Sequence, residues 1–226
     1  MIQLGARLFA AASLVRGGGI VADVGTDHAF LPVFLIQNGI CKNVIASDIG
    51  EGPLANAQKT VDEYGLSDRI ELRLSNGLNQ YRPGETDEIV LCGMGGNLIE
   101  EILTAAPWVK RQNVHLVLQP MTHAEDVRRY LCENGFLIDE EHCVKDGARV
   151  YLLISATWQN AKNTHGPGYY YFGKTLNQSG ESTVITKKQY LRVLARYLAL
   201  QKAERNEAEQ ALLADVLSYY NREKTK

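Results

Sequence analysis

The sequence predicts an α/β domain with a doubly wound, mostly parallel sheet, followed by a helical extension. Short apolar runs such as "IVADVG" and "VHLVLQPM" alternate with stretches of helical length. Five of these runs end in polar or glycine-rich residues and lead into a helix or a longer turn. The alternation closes at "KDGA", an Asp-Gly hairpin signal between two last strands. Strands alternating with helices build parallel sheets covered on both faces. Ligands of such sheets sit at the carboxyl ends of the strands, near the point where strand order reverses.

The elements follow in order. "MIQLGARLFAAASLVRGGG" is apolar, but Arg7 interrupts it and Arg16 follows it. The spacing of Leu4, Leu8, Ala11 or Ala12 and Val15 predicts an amphipathic helix, not a signal peptide. "IVADVG" is the first strand. "AFLPVFLIQNG" is a helix with Pro32 in its first turn and Gly39 at its end. "KNVIASDI" is a second buried strand. "GPLANAQKTVDEYG" is a helix opened by Pro53 and closed by Gly65. "RIELRLSNGL" alternates and ends in a turn, and "DEIVLCGMGG" is a fourth strand running into glycines. "NLIEEILTAA" is a helix stopped by Pro107. "VHLVLQPM", the helix "HAEDVRRYLCENG" and the hairpin strands of "FLIDEEHCVKDGARVYLLISATW" complete the first unit.

The stretch "QNAKNTHGPG" is polar and bears Gly and Pro, as a linker or an ordered crossing would. It divides the chain into an expected domain of residues 1–160 and a helical one of residues 161–226. In the second, "ITKKQYLRVLARYLAL" sets Leu191, Leu194 and Leu198 on one predicted face, and "EQALLADVLSYY" repeats the pattern. The tail is either a helical hairpin or one long helix paired with an earlier segment. Lys188, Arg192 and Arg196, four residues apart, form one basic stripe.

Composition narrows the class. The chain has 226 residues, 45% of them hydrophobic, enough to bury a core without covalent staples. Cys41, Cys92, Cys132 and Cys143 are scattered, with no C-x-x-C pair, which excludes a disulfide framework or structural zinc site from the expectation. No run is long enough for a membrane span. The expectation is a soluble cytoplasmic protein, with no metal and a monomer favoured. Residues 161–226 carry 11 Lys and Arg against 6 Asp and Glu, while the preceding 160 carry 13 against 20. A basic tail on an acidic body suits a polyanionic partner, or else a solvated helix surface.

The site chemistry begins at Asp48. An acidic residue ending the second strand typically accepts hydrogen bonds from a ribose diol, so it signals a nucleoside; the alternative is a cap for the helix near Pro53. The first turn narrows the ligand. A dinucleotide fold needs G-x-G-x-x-G so that a pyrophosphate meets bare backbone N–H groups. Of that pattern "VADVGTDHAFLP" keeps only Gly25, and Asp27 would repel a phosphate. A ligand carrying an ammonium, a sulfonium and no phosphate would welcome Asp23 and Asp27. S-adenosylmethionine fits; a nicotinamide dinucleotide does not. His28 either positions this cofactor or serves the helix start. Asn76 of "SNGL" can donate to and accept from an adenine edge, or simply make an Asn-Gly turn. "CGMGG" bares its backbone for a flat ring. Cys92 reads as a buried thiol lining the pocket, because no activating His or Lys is identifiable.

Together "VADVGTDHAFLP", "ASDI", "LCGMGG" and "LQPM" resemble the TrmK family of bacterial tRNA (adenine(22)-N(1))-methyltransferases, over nearly the whole chain. The resemblance implies a class I Rossmann-like methyltransferase domain with a C-terminal helical, coiled-coil-like extension. It implies S-adenosylmethionine as donor and tRNA as acceptor. By the family pattern Asp23, Gly25, Asp27 and His28 border the methionine part, Asp48 holds the ribose and Ile49 packs on the adenine. Asn76 and Gly77 meet the adenine edge. Gly93, Met94, Gly95 and Gly96 occupy the place of the acceptor-base motif. Many class I enzymes have Asp where Asn76 stands, and the Asn/Asp-Pro-Pro-aromatic motif is absent. That absence suits methylation of a ring nitrogen.

Adenine N1 has an in-plane lone pair and needs no general base, so positioning carries the chemistry. N1 lies on the pairing edge, so the base must be unpaired or extruded. Gln119 is expected to offer its amide to the base edge and Arg7 to meet a phosphate or the base, with Lys188, Arg192 and Arg196 on the RNA body. Competing expectations are a methyltransferase of the same fold acting on another RNA or a small molecule, and a non-catalytic RNA-binding module.

Overall fold

The computed structural model describes residues 1–203 and 205–225. Seven strands form one sheet: β1 (Ile20–Val24), β2 (Asn43–Asp48), β3 (Ile70–Leu74), β4 (Glu88–Gly95), β5 (His115–Thr122), β6 (Phe136–Asp146) and β7 (Arg149–Trp158). Their spatial order is β3-β2-β1-β4-β5-β7-β6. β1 to β5 run parallel, while β7 is antiparallel to both β5 and β6. Strand order reverses between β1 and β4, which is where such sheets open a crevice for ligands. The central strands are buried on both faces, and this explains their unbroken apolar runs.

Helices α1 (Ala6–Leu14), α2 (Phe30–Gln37) and α3 (Glu51–Glu63) share one apolar core with one face of the sheet. Helices α4 (Gly96–Ala105) and α5 (Ala124–Glu133) cover the other face. The hairpin expected at "KDGA" serves a distant element. Gly5, at the start of α1, has no side chain to cap it, and Asp146 of the hairpin accepts from the Arg7 N–H at 3.0 Å instead.

At the opposite end of the strands from the crevice, Glu88, His115 and Ser155 line up. His115 Nδ1 lies 2.6 Å from Glu88 and Nε2 lies 2.8 Å from Ser155 Oγ. All three are buried, so this line of groups ties β4, β5 and β7 together and faces no substrate.

The crossing from residue 159 is ordered: Gln159 N–H donates to Gly135 and Asn163 N–H to Cys132. It leads into a short helix the sequence reading did not anticipate, α6 (Pro167–Phe172), and a 3-10 turn at Gly173–Asn177. Tyr170 of α6 joins the core of the first unit. The tail then folds back as a hairpin of α7 (Glu181–Ala203) and α8 (Glu207–Lys224), capped by Asn206 accepting from the Glu209 N–H. The expected apolar face of α7 needs correction. Leu191 and Leu198 are 52% and 53% exposed. Leu194 does pack, together with Tyr190, Val193, Tyr197 and Leu200, against Phe172, Val216 and Tyr220. Tyrosine rings, with Tyr190 stacked on Tyr220 at 4.4 Å, provide the apolar surface that a count of leucines overlooks. No helix among the described residues is long and apolar enough to cross a membrane.

Candidate active site at the switch point

A cavity of about 400 Å³ opens at the carboxyl ends of β1 and β4. Its lining includes Arg7, Asp23, Gly25, Thr26, Asp27, His28, Cys92 and Gly93, with Leu8, Phe30 and Leu31 as apolar wall. Of the expected site residues, the loop after β1 and the turn after β4 therefore meet in one place.

The loop after β1 is held from below. The N–H groups of Gly25 and Thr26 both donate to the Ser47 carbonyl of β2, at 2.8 and 2.9 Å. Gly25 is left-handed (φ 79°), and so are Asp27 (φ 51°) and Ala29 (φ 55°), which have side chains. Each such residue costs about 1–2 kcal/mol, a strain typical of sites that aim a group at a ligand. Asp27 N–H points to Asp48 Oδ2 at 3.4 Å, and Asp48 Oδ1 accepts from Gly50 N–H at 3.0 Å. Asp48 thus braces both the loop and the entry to α3. His28 stacks on Phe30 (ring centroids 5.1 Å apart) and faces Asp27 at 3.6 Å, at the half-exposed rim. Phe30 stands in the same motif and lines the cavity, and an exposed aromatic at a helix start is its only signal in the sequence.

Asp23 is 5% exposed, and its carboxyl is raised to about 6. Burial is the main cause, the Thr26 hydroxyl opposes it, and the Asp48 charge adds to it. Cys92 is pushed up to about 12, chiefly by burial and then by Asp23, against Arg7. The thiol stays protonated and is no nucleophile, as the sequence suggested.

The carboxyl end of β4 is irregular. Pairing with β5 shifts register twice between Cys92 and Gly95, which exposes Gly93 and leaves Met94 and Gly95 half-buried; Gly96, expected to border the acceptor base, is instead buried at the start of α4. Met94 reaches across to the first loop: a Cβ at Gly25 would lie 2.5 Å from its methyl carbon. Gly96 is needed for another reason, since a Cβ there would lie 2.4 Å from the His123 carbonyl oxygen. Gly96→Ala is expected to cost about 2–3 kcal/mol, read as a lower urea midpoint, because backbone on both sides must move.

Gln119 corrects an expectation. It is fully buried behind the turn, not offered to a base edge. Its carbonyl oxygen accepts from Gly93 N–H at 3.1 Å and from Arg7 Nη1 at 3.0 Å. Gln119 is a positioning residue that fixes Gly93 and aims Arg7 at the cavity, and Tyr151 lies under the same guanidinium at 5.7 Å. Gly77 is left-handed (φ 58°) and packs against Ile102. Asn76 is exposed and Ile49 is 69% exposed, both on the β2–β3 side of the crevice. Lys188, Arg192 and Arg196 lie outside the cavity on α7. Arg192 pairs with Glu125, and Arg196 with Glu209 at 2.8 Å, while Lys188 has no ion-pair partner among the described residues.

The chain matches the methyltransferase-domain family over residues 4–154. It is 33% identical over 155 residues to the tRNA (adenine(22)-N(1))-methyltransferase of Bacillus subtilis (strain 168), across 69% of this chain and 65% of that protein. The match thus spans slightly less than two thirds of the curated relative. Two solved structures match over nearly the whole chain. A Streptococcus pneumoniae protein assigned as a tRNA (m1A22) methyltransferase, in complex with S-adenosyl-L-methionine, is 30% identical with a TM-score of 0.80, covering 93% of this chain and 98% of that one. The B. subtilis m1A22 tRNA methyltransferase TrmK superposes with a TM-score of 0.88 at 25% identity, covering 98% and 99%.

The chain belongs to the TrmK family.

Membership accounts for the architecture: a class I Rossmann-like methyltransferase domain followed by the α7–α8 hairpin. The residues that set this TrmK chain apart from a dinucleotide-binding fold are those of the strained first loop, Gly25 to Ala29. No group of His, Cys, Asp and Glu among the described residues is placed to hold a metal ion.

Proposed function

We propose that this chain is an S-adenosylmethionine-dependent methyltransferase acting on N1 of adenine 22, in the D-loop region of bacterial tRNA. Residues 1–160 would carry the chemistry and residues 161–226 would grip the RNA. The observation that carries the reading is the charge pattern of the cavity wall. Asp23 and Asp27 stand on one loop, and Arg7 is aimed into the same space. A ligand ending in an α-amino acid has the matching ammonium and carboxylate, and no phosphate that Asp27 would repel. This moves Arg7 from the RNA to the cofactor's carboxylate. The family relatives, one of them holding S-adenosylmethionine, support the same donor.

Bound there, S-adenosylmethionine supplies an electrophilic methyl group. The chain's own residues hold and exclude. Asp48 accepts from the ribose hydroxyls, Ile49 covers the adenine face, and Asn76 with Gly77 meets its edge. The Gly93–Gly95 backbone would let the acceptor ring lie flat beside the methyl, with Gln119 keeping Gly93 in place. Alignment of this kind supplies up to about 7–11 kcal/mol without a general base. The Asp23 and Asp27 carboxylates would offset the positive charge that such a donor brings to the cavity. The exposed Lys188 and the basic face of α7 would meet RNA phosphates.

Methyl transfer to unmodified tRNA, with the product base mapped, tests the reading. The wild type is expected to place one methyl on N1 of adenine 22. Asp48→Ala should weaken cofactor binding by roughly 30-fold or more, since two charge-assisted hydrogen bonds are lost. Methylation elsewhere, or unchanged affinity in the variant, would overturn the site or the substrate assignment.

A further inference from the structure

The tail reaches the acceptor side of the site through one carboxylate. Gly95 pairs with Thr122, and the Gly96 backbone is packed tightly against the His123 carbonyl. His123 begins α5 in a left-handed conformation (φ 52°), and Glu125 lies in the first helical turn beyond it. The Glu125 side chain is 10% exposed. One of its oxygens takes the Arg192 guanidinium of α7, and the other lies 3.5 Å from Gln189 Nε2, one turn earlier on α7. The position at the start of α5 also favours a negative charge there. The acceptor turn, the start of α5 and the middle of α7 are thus joined in one line.

We propose that Glu125 is a positioning residue for the acceptor RNA: it sets the basic face of α7 at a fixed place beside the Gly93–Gly96 turn, so that RNA held by α7 delivers its base to the cavity. The proposal rests on the methyltransferase reading above. Arg192 is bound by Glu125 through part of its guanidinium and stays 50% exposed, so it is oriented while still open to an RNA phosphate. A nearly buried carboxylate with two partners on α7 fixes that helix far better than an exposed pair would, because leaving it unpaired is costly.

Glu125→Gln tests this, because positioning and simple phosphate binding predict opposite signs. The variant keeps the shape and one hydrogen-bonding oxygen but removes the charge that holds Arg192. If Glu125 positions α7, kcat/KM for tRNA should fall by about tenfold, with the loss in tRNA KM and kcat. Cofactor affinity by calorimetry should stay within twofold of wild type. If Glu125 merely neutralises Arg192, freeing that cation should leave tRNA KM unchanged or lower it, and the proposal is then wrong. Arg192→Lys keeps a charge for phosphate but loses the fixed guanidinium fork. It should show the same loss as Glu125→Gln; wild-type kcat/KM in Arg192→Lys would also overturn the proposal. A wild-type enzyme that binds the cofactor yet methylates no tRNA would instead remove the reading on which it rests.

Discussion

Asp23→Asn is expected to give a more stable protein that binds its cofactor poorly. Asp23 sits in the cavity wall with its carboxyl raised from 3.8 to about 6, mainly by burial. The folded state therefore holds this proton more tightly than the unfolded chain does. The sign follows: Asp23 weighs nothing against folding below pH 3.8, weakens it as pH rises through 6, and leaves a constant penalty above. A gap of about two pKa units corresponds to about 3 kcal/mol at full effect. Asparagine keeps the shape without the charge, so at pH 8 the variant should gain about 1–3 kcal/mol. That is a rise in melting temperature of about 3–8 °C for a chain of this size. At pH 4 the advantage should vanish. Cofactor affinity should move the other way, falling about 10- to 100-fold with the loss of a charged partner for the ligand cation. In the wild type, affinity should fall as pH drops below about 6, where Asp23 takes up its proton. A variant no more stable at pH 8 would refute the burial argument. One that is more stable but binds normally would remove Asp23 from the site.

The same residue shows what a linear sequence reveals. Asp23 was legible because it ends a strand, and strand ends in an alternating α/β pattern converge at the switch point wherever the helices lie. The parallel sheet, the crevice and the meeting of the Gly25–His28 loop with the Cys92–Gly93 turn follow from that periodicity. Arg7, Gln119 and Asp146 were legible only as residue types. Arg7 reaches Gln119 across 112 positions and takes its cap from Asp146 across 139. Contacts over such separations leave no periodic trace. Hence Gln119 read as a ligand group when its carbonyl oxygen is already committed to Gly93 and Arg7. The face of α7 differs for another reason: beside Leu194 the packed side is built by Tyr190 and Tyr197, which bury rings while keeping a polar tip, so a pattern that counts leucines alone takes in the exposed Leu191 and Leu198.

Arg128→Ala should destabilise the protein by about 3–5 kcal/mol, a large part of the 5–15 kcal/mol typical of a folded chain. In the sequence Arg128 is one more cation on a helix. In the fold its side chain is 2% exposed and Glu141 beside it is fully buried, with Nε 2.6 Å from the carboxylate. Arg128 Nη1 also donates to the carbonyls of Tyr170 and Tyr171, at 2.9 and 3.2 Å. The second Glu141 oxygen accepts from the Lys174 N–H. Gly173 is the residue that admits this arrangement, since a Cβ there would lie 2.2 Å from Glu141 and 2.3 Å from Arg128. A simple buried pair can be exchanged for two apolar side chains at little cost. Here that exchange should fail. Arg128→Met with Glu141→Met would strip the buried Tyr170 carbonyl of this partner, at about 1–3 kcal/mol, and would also take partners from the part-buried Tyr171 carbonyl and Lys174 N–H. The double variant should therefore be no more stable than Arg128→Ala in urea, and recovery to wild-type stability would show that the backbone groups find other partners. The pair joins α5 and β6 to the segment after residue 160, so cutting the chain there should strip the pair of its tail partners and expose Tyr170's place in the core. Truncation at residue 160 is accordingly expected to yield an aggregating or proteolytically labile fragment. The role of the tail in binding RNA is then best measured by substitutions on the exposed face of α7, with the full chain intact.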